Sequence, residues 1–417
     1  MPSSITFLTA AFAATSYASP LALDPVRPRM GYTVSTDLKL SQKSLNLNPA
    51  FSLAYPYLKY NTAQPAVVKA AVKTQQKAVK QKGGTTTTPE PFDVEYLVPV
   101  NVDGQTLNLV LDSGSSDLWV FSDLMPAAQQ TGHTVYKTVS SKLMAGETFG
   151  VTYGDGSFAK GKVYSDKVTI GGVTFNSQAV EAAVNVSQSF LNHVDADGLI
   201  GLSFTGLNTV RPTQQKTFFE NVRSSLALPL YAVTLKQRGP NTLTSAHIGS
   251  LDFGFINKTK YTGALNFVNV QPSDASFWEF PIYRYAINGS NIKATNSFNA
   301  IVDTGTSLTY LPNEIITAYY AKVEGAVIDS SWGGWTFPCD STLPPMGIWI
   351  AGKKYVIWPR FINWEQISST HCLGGVQSSS NLPFAILGDT FLKNYYVVFD
   401  QRKATPRVGF AVQNPKA

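Results

Sequence analysis

Two short segments of the chain carry residues suited to acid–base chemistry. Val110-Leu111-Asp112-Ser113-Gly114-Ser115-Ser116 is echoed by Ile301-Val302-Asp303-Thr304-Gly305-Thr306-Ser307. Each copy is an apolar run ending in Asp, then a hydroxyl residue, Gly and a second hydroxyl residue. Alone, such a segment reads as a turn after a strand, because Asp caps and Gly accepts a positive φ. Each copy also has a downstream companion. Leu199-Ile200-Gly201 places its glycine 89 positions after Asp112, and Ile386-Leu387-Gly388 places its glycine 85 positions after Asp303. Two signals recurring in the same order at nearly equal spacing imply two related lobes. If the lobes face each other across a pseudo-two-fold axis, Asp112 and Asp303 meet at its centre. Two carboxylates a few ångströms apart cannot both ionise cheaply, so they share one proton, and one is a base while the other is an acid. Gly114 and Gly305 would let backbone approach the carboxylates, and Ser115 and Thr306 would donate hydrogen bonds to their outer oxygens.

Other chemistries find little support. His133, His193, His247 and His371 are too scattered for H-E-x-x-H, and two cysteines cannot build a four-cysteine zinc site. Neither a metal nor a cofactor is expected. Gly156–Lys162 fits G-x-x-x-x-G-K, but Val163 stands where Ser or Thr should hold magnesium and no helical periodicity follows, so a β-hairpin explains the glycines better. Gly201–Gly206 has one residue too many for a G-x-S-x-G elbow.

The elements that would position the carboxyls are mostly strands. The chain has 417 residues, enough for two or three folding units. Hydrophobic residues make up 44% and charged residues 14%, against about 25% charged in an average soluble domain, which excludes a highly charged disordered protein and a coiled coil. No run of about 18 apolar residues suggests a spanning helix, and no apolar tail suggests a lipid anchor. From Phe92 onward, short runs such as Glu95–Val102, Thr106–Leu111, Lys162–Ile170, Tyr231–Leu235 and Tyr395–Phe399 are punctuated by Gly, Asn and Ser, with Asn313–Val323 the clearest helix.

The formal net charge of +6 is unevenly placed. Residues 1–91 hold 10 Lys and Arg against 3 acids, whereas the remainder holds 23 against 24. A basic tail of this kind can bind nucleic acid, a membrane, or an acidic cleft of its own protein. Ile5–Ala14 followed by Ser16-Tyr17-Ala18 reads as a secretory signal peptide, although no Lys or Arg precedes its apolar core; a buried helix is the alternative. Ala66–Lys82, with Lys69, Lys73 and Lys77 four apart, reads as a basic helix stopped by Gly83-Gly84, and Thr85–Pro91 reads as a linker. Asn185, Asn257 and Asn288 open N-x-S/T tripeptides, candidate glycosylation sites.

On these motifs, residues from about 92 to 417 resemble a pepsin-family (A1-type) aspartic endopeptidase, nearest in flavour to secreted fungal members. Two aspartates sharing one proton is a pattern already described for aspartic proteases as a class. The resemblance implies a bilobal β fold with an interlobe cleft, and Asp112 and Asp303 as the catalytic pair. Val151–Ser157 resembles the flap that closes over substrate. By that resemblance Tyr153 is the flap tyrosine, Trp119 its hydrogen-bonding partner, and Gly154 and Asp155 further flap and substrate-binding residues. Asp155 occupies a position associated in fungal relatives with accepting Lys at P1. Cys339 and Cys372 match a disulfide commonly kept in the second lobe. Leu58-Lys59-Tyr60 resembles the L-x-K-Y element of fungal zymogens, whose lysine pairs with the catalytic carboxylates. The implied organisation is a signal peptide at 1–18, a propeptide at 19–84, an N-terminal lobe with flap at 85–260 and a C-terminal lobe at 261–417. The implied protein is a secreted, extracellular, acid-active monomer, made as a self-inhibited zymogen. Its partners would be protein and peptide substrates, pepstatin-like inhibitors and its own propeptide, with no nucleic acid and no membrane span. The rival is a catalytically inactive pepsin-fold binding or inhibitor protein, which would typically have lost an aspartate, the flap tyrosine or a motif hydroxyl.

Overall fold

The computed structural model describes residues 83–89, 95–153, 157–237, 249–271, 276–329, 334–380 and 382–415. The signal and propeptide segments, Lys59, Tyr60 and the basic 66–82 stretch lie outside the described residues.

Two hairpins of the same design deliver the two aspartates. In the first lobe Tyr96–Val102 pairs antiparallel with Gln105–Asp112. The two-residue turn is Asp103-Gly104, both at positive φ (44° and 92°), which matches the right-handed twist of the flanking strands. Burial alternates strictly along Tyr96–Val102, so one face packs into the core. In the second lobe Glu279–Ile287 pairs with Ser290–Val302 through Asn288-Gly289, again both at positive φ (48° and 83°). Asp112 ends its strand, and Asp303 follows directly on its own.

Each aspartate-bearing strand then takes a parallel neighbour from the apolar-apolar-Gly companion. Gly198–Gly201 runs beside Gln105–Asp112 with Asp112 opposite Gly201, and Ala385–Leu387 runs beside Ser290–Val302 with Val302 opposite Leu387. A third short strand closes each arrangement antiparallel to the companion: Leu118–Val120 in the first lobe and Thr309–Leu311 in the second. The fold is the mostly-β, bilobal architecture expected. A further set of strands, including Leu230–Thr234, Tyr395–Asp400 and Arg407–Gln413, joins the sheet that also contains Gln105–Asp112, so segments from both sides of residue 260 build it. Trp278, fully buried, packs on Phe204 at 4.6 Å and Phe399 at 5.1 Å between ring centroids. Its indole N–H and the Tyr231 hydroxyl both donate to the Leu202 carbonyl (3.1 and 3.0 Å), and the Leu202 amide donates to the Asp112 carbonyl (2.7 Å). Apolar burial thus anchors the segment that lines up the first aspartate.

The linker reading of Thr85–Pro91 is corrected. Gly83–Pro89 is a strand, antiparallel to Gly249–Phe253 and, at its end, to Tyr96 and Leu97. Four consecutive β-branched threonines favour a pleated strand once a partner edge is offered, a tertiary influence that composition does not reveal. Gly161 and Lys162, part of the phosphate-loop look-alike, lie within the strand Phe158–Ile170, paired on both sides, with no helix after them. The helix expected over 313–323 is Asn313–Tyr320, with Ile315, Ile316, Tyr319 and Tyr320 buried on one face. Cys339 and Cys372 form a disulfide with Cα atoms 5.0 Å apart. Closing a loop across 33 positions stabilises the fold by about 3–4 kcal/mol in the chain-entropy model. Among the described residues, no helix is long and apolar enough to cross a membrane.

Candidate active site

The structure brings Asp112 and Asp303 together. Their side chains are 6% and 8% exposed, so both carboxyls are largely withdrawn from bulk water at the meeting point of the lobes. The loop that carries each aspartate lies directly against the other's carboxyl, Gly114 against Asp303 and Gly305 against Asp112. Burial, and then the Asp303 charge, push the Asp112 carboxyl well above the usual carboxylate range, against the opposing hydrogen bonds from Ser115 and Gly114.

Each carboxyl is held in the same way by its own loop. Asp112 accepts from the Gly114 amide at Oδ1 (2.7 Å) and from the Ser115 hydroxyl at Oδ2. Asp303 accepts from the Gly305 amide at Oδ1 (2.9 Å) and from the Thr306 hydroxyl at Oδ2 (2.6 Å). The glycines are needed across the axis. A Cβ on Gly114 would stand 2.6 Å from the Asp303 carboxyl carbon, and one on Gly305 would stand 2.6 Å from Asp112 Oδ1.

The middle hydroxyl residues, given no separate role in the sequence, lock the two loops to each other. Ser113 Oγ donates to the Val302 carbonyl (2.9 Å) and accepts from the Thr304 amide (3.0 Å). Reciprocally, Thr304 Oγ1 donates to the Leu111 carbonyl (2.8 Å) and accepts from the Ser113 amide (3.0 Å). Four bonds in a buried setting fix the separation and tilt of the carboxyls, and losing a partner would orphan buried backbone groups. The signal was present in the repeat, since each motif carries a hydroxyl residue between Asp and Gly.

The hairpin Leu143–Thr152 with Phe158–Ile170 leads to Tyr153, whose amide donates to the Ser157 carbonyl (2.8 Å). Trp119 Nε1 donates to the Tyr153 hydroxyl (2.8 Å), leaving the phenolic proton free to point elsewhere. Burial and the Asp112 charge push that phenol well up, so it stays protonated. Phe190, which no sequence signal marked, packs edge-on against Trp119 (4.9 Å) and Tyr153 (5.8 Å). It lies in the short helix Gln188–Asn192. Gly154 and Asp155 lie outside the described residues.

Of the glycosylation candidates, Asn288 is exposed at its hairpin turn, Asn257 Oδ1 accepts from the Thr259 amide and hydroxyl (3.1 and 2.7 Å), and Asn185 sits half-buried in the strand Val173–Val186. Among the described residues no cluster of His, Cys, Asp or Glu is arranged to hold a metal ion.

Two buried aspartates, each held by the amide and hydroxyl of its own loop, approach each other where two related β lobes meet. The model of the eukaryotic aspartyl protease family matches residues 95–413. Over 374 residues the chain is 46% identical to penicillopepsin-2 of Penicillium janthinellum, covering 89% of each protein. It is 43% identical over 394 residues to aspergillopepsin-1 of Aspergillus flavus, covering 92% of each. It is also 43% identical to aspergillopepsin-1 of Aspergillus clavatus, over 97% of this chain. The chain belongs to the eukaryotic aspartyl protease family, among the fungal pepsin-type enzymes, and is an aspartic endopeptidase.

Proposed function

We propose that the protein hydrolyses internal peptide bonds in acid by a water molecule activated between Asp112 and Asp303, and that it is secreted as a self-inhibited zymogen. The observation that carries this reading is the close approach of the two buried carboxyls across their loop glycines, each carboxyl held by its own loop's amide and hydroxyl. With one proton shared, the ionised carboxylate takes a proton from water as the water oxygen attacks the scissile carbonyl. The protonated partner gives its proton to the carbonyl oxygen, and a tetrahedral diol forms. The diol collapses as the departing nitrogen gains a proton. The nucleophile is water, so no acyl-enzyme forms. Either aspartate can hold the shared proton at the start of the cycle.

Substrate lies extended beneath the flap, adding strand-like hydrogen bonds. Tyr153, held by Trp119, and the Gly154-Asp155 tip close over it, and Asp155 gives a preference for Lys at P1. The signal peptide at 1–18 directs secretion, and Asn288 is the best-presented of the three glycan acceptors. In the precursor, Lys59 with Tyr60 occupies the Asp112/Asp303 pair at neutral pH. Acid protonates the carboxylates, weakens that ion pair and frees the cleft. No Lys-Arg or Arg-Arg pair occurs in residues 1–91, which favours self-cleavage over dibasic processing.

The full-length precursor, shifted to acid, is expected to shorten and then digest protein, and pepstatin should suppress both. Lys59→Ala should show activity before acidification. Digestion untouched by pepstatin would refute the reading, and a Lys59→Ala precursor fully latent at neutral pH would refute the role of the lysine.

A further inference from the structure

A second pair of buried carboxyls lies behind the first-lobe aspartate. Asp117 and Glu181 are each 1% exposed. Asp117 sits five positions after Asp112, just before the strand Leu118–Val120. Glu181 lies on the strand Val173–Val186, opposite Trp119. Asn208, 2% exposed, bridges them, its Nδ2 donating to Asp117 Oδ1 (3.2 Å) and Glu181 Oε1 (3.0 Å). Asp117 Oδ1 also accepts from the Thr209 amide (2.8 Å) and hydroxyl (2.9 Å).

Sharing the Asn208 amide as donor holds the two carboxyls side by side. Yet Asp117 Oδ2 and Glu181 Oε2 are buried with no donor among the described residues. A buried acceptor without a donor is costly, and two facing carboxylates are costlier. One proton held between them supplies the missing donor and removes one of the two charges. Burial pushes both groups up, opposed at Asp117 chiefly by the Thr209 bonds; at Glu181 the Asp117 charge adds to it, and Asn208 and the Leu118 amide oppose it. Arg211 and Tyr153 also act electrostatically on or with the pair. Arg211 spends Nη1 on the Asn208 and Val210 carbonyls (3.0 and 2.7 Å), so it does not replace the missing donor. Tyr153 remains neutral and adds no charge.

The pair also sits where two parts of the first lobe are joined. The Asp117 carbonyl accepts from the Gly201 amide (2.8 Å), and Gly201 is the register partner of Asp112. On the other side, Thr209 leads to Arg211, whose backbone exchanges two hydrogen bonds with Thr148 on the flap strand (2.8 and 2.9 Å). We propose that Asp117 and Glu181 share one proton and act as positioning residues, tying the Asp112 loop to the base of the flap while singly protonated and releasing it on full ionisation. The sign follows from linkage. The folded state keeps a proton that the unfolded chain gives up in the ordinary carboxylate range. The stabilisation is therefore complete in acid and is lost as pH rises through the folded-state titration.

The test uses the full chain carrying Asp303→Asn, which removes the charge coupling of the other pair and any self-digestion. In that background the unfolding midpoint, and the hydrogen-exchange protection of the Thr148 and Arg211 amides, are followed from acid to neutral pH. The parent should lose protection at those two amides by about tenfold or more, the equivalent of one unit of pKa displacement. Glu181→Gln should hold its protection across the same range, because a neutral amide mimics the protonated acid. Asp117→Asn, which offers a donor to Glu181, should do the same. Identical pH dependence in parent and variants would overturn the proposal. If neither variant folds, neutron diffraction of the unaltered protein in acid decides: a deuteron between Asp117 and Glu181 supports the tie, and two bare carboxylates overturn it. Turnover enters nowhere, so failure here would leave the peptidase reading standing.

Discussion

Asp303→Asn is expected to leave a folded precursor that stays full length after acidification and turns over peptide about 10²–10⁴-fold more slowly, the scale of losing acid–base catalysis. The replacement keeps the shape of the carboxylate. Its carbonyl oxygen can still accept from the Gly305 amide, and its Nδ2 can face the Thr306 hydroxyl, which rotates to accept. The lock between Ser113 and Thr304 involves neither carboxylate oxygen and should persist. What disappears is the ability of the pair to hold one exchangeable proton between two acids. The loss should therefore fall on kcat, with the thermal midpoint in acid little changed. Near-parent turnover would rule out the proposed mechanism.

Gly305→Ala should cost about 100-fold in kcat/KM, by geometry alone. The new methyl would stand 2.6 Å from Asp112 Oδ1 and 2.7 Å from its carboxyl carbon, closer than van der Waals contact allows. Gly305 does not adopt a positive φ, so backbone strain plays no part and the effect reports only on crowding. Relief requires Asp112 to swing away from Asp303 or the Gly305 loop to withdraw. Either shift, on the order of 1 Å, misaligns the pair with the attacked carbonyl. Kinetics on the acid-activated variant, alongside its thermal unfolding, check the claim. Unaltered kcat/KM would mean that the two loops are not packed on each other in the working enzyme.

Much of this arrangement was legible in the sequence because its signals are local and repeated. The two Asp-hydroxyl-Gly-hydroxyl segments and their companions at 199–201 and 386–388 fall at the strand ends and their parallel neighbours. Strand edges moved by a few residues; Phe158–Ile170, for instance, begins four residues before the apolar run that marked it. What the sequence concealed depends on chain segments far apart. Thr85–Thr87 gained strand character by pairing with residues 249–251, about 160 positions away, and Thr88 by pairing with Leu97. The Ser113–Thr304 lock looks like ordinary turn hydroxyls until the loops are superposed, and Phe190 carries no local mark of its proximity to Tyr153. Asp117 and Glu181 each look like surface charges in sequence. Only the fold buries them side by side.

The shared proton itself is most directly tested by the pH dependence of kcat/KM for the acid-activated enzyme on a small peptide. A bell lying in the acid range is predicted, its two limbs being the two apparent titrations of the Asp112/Asp303 pair. A profile that climbs through neutrality, or that lacks an upper limb, would contradict a single proton held between two carboxyls.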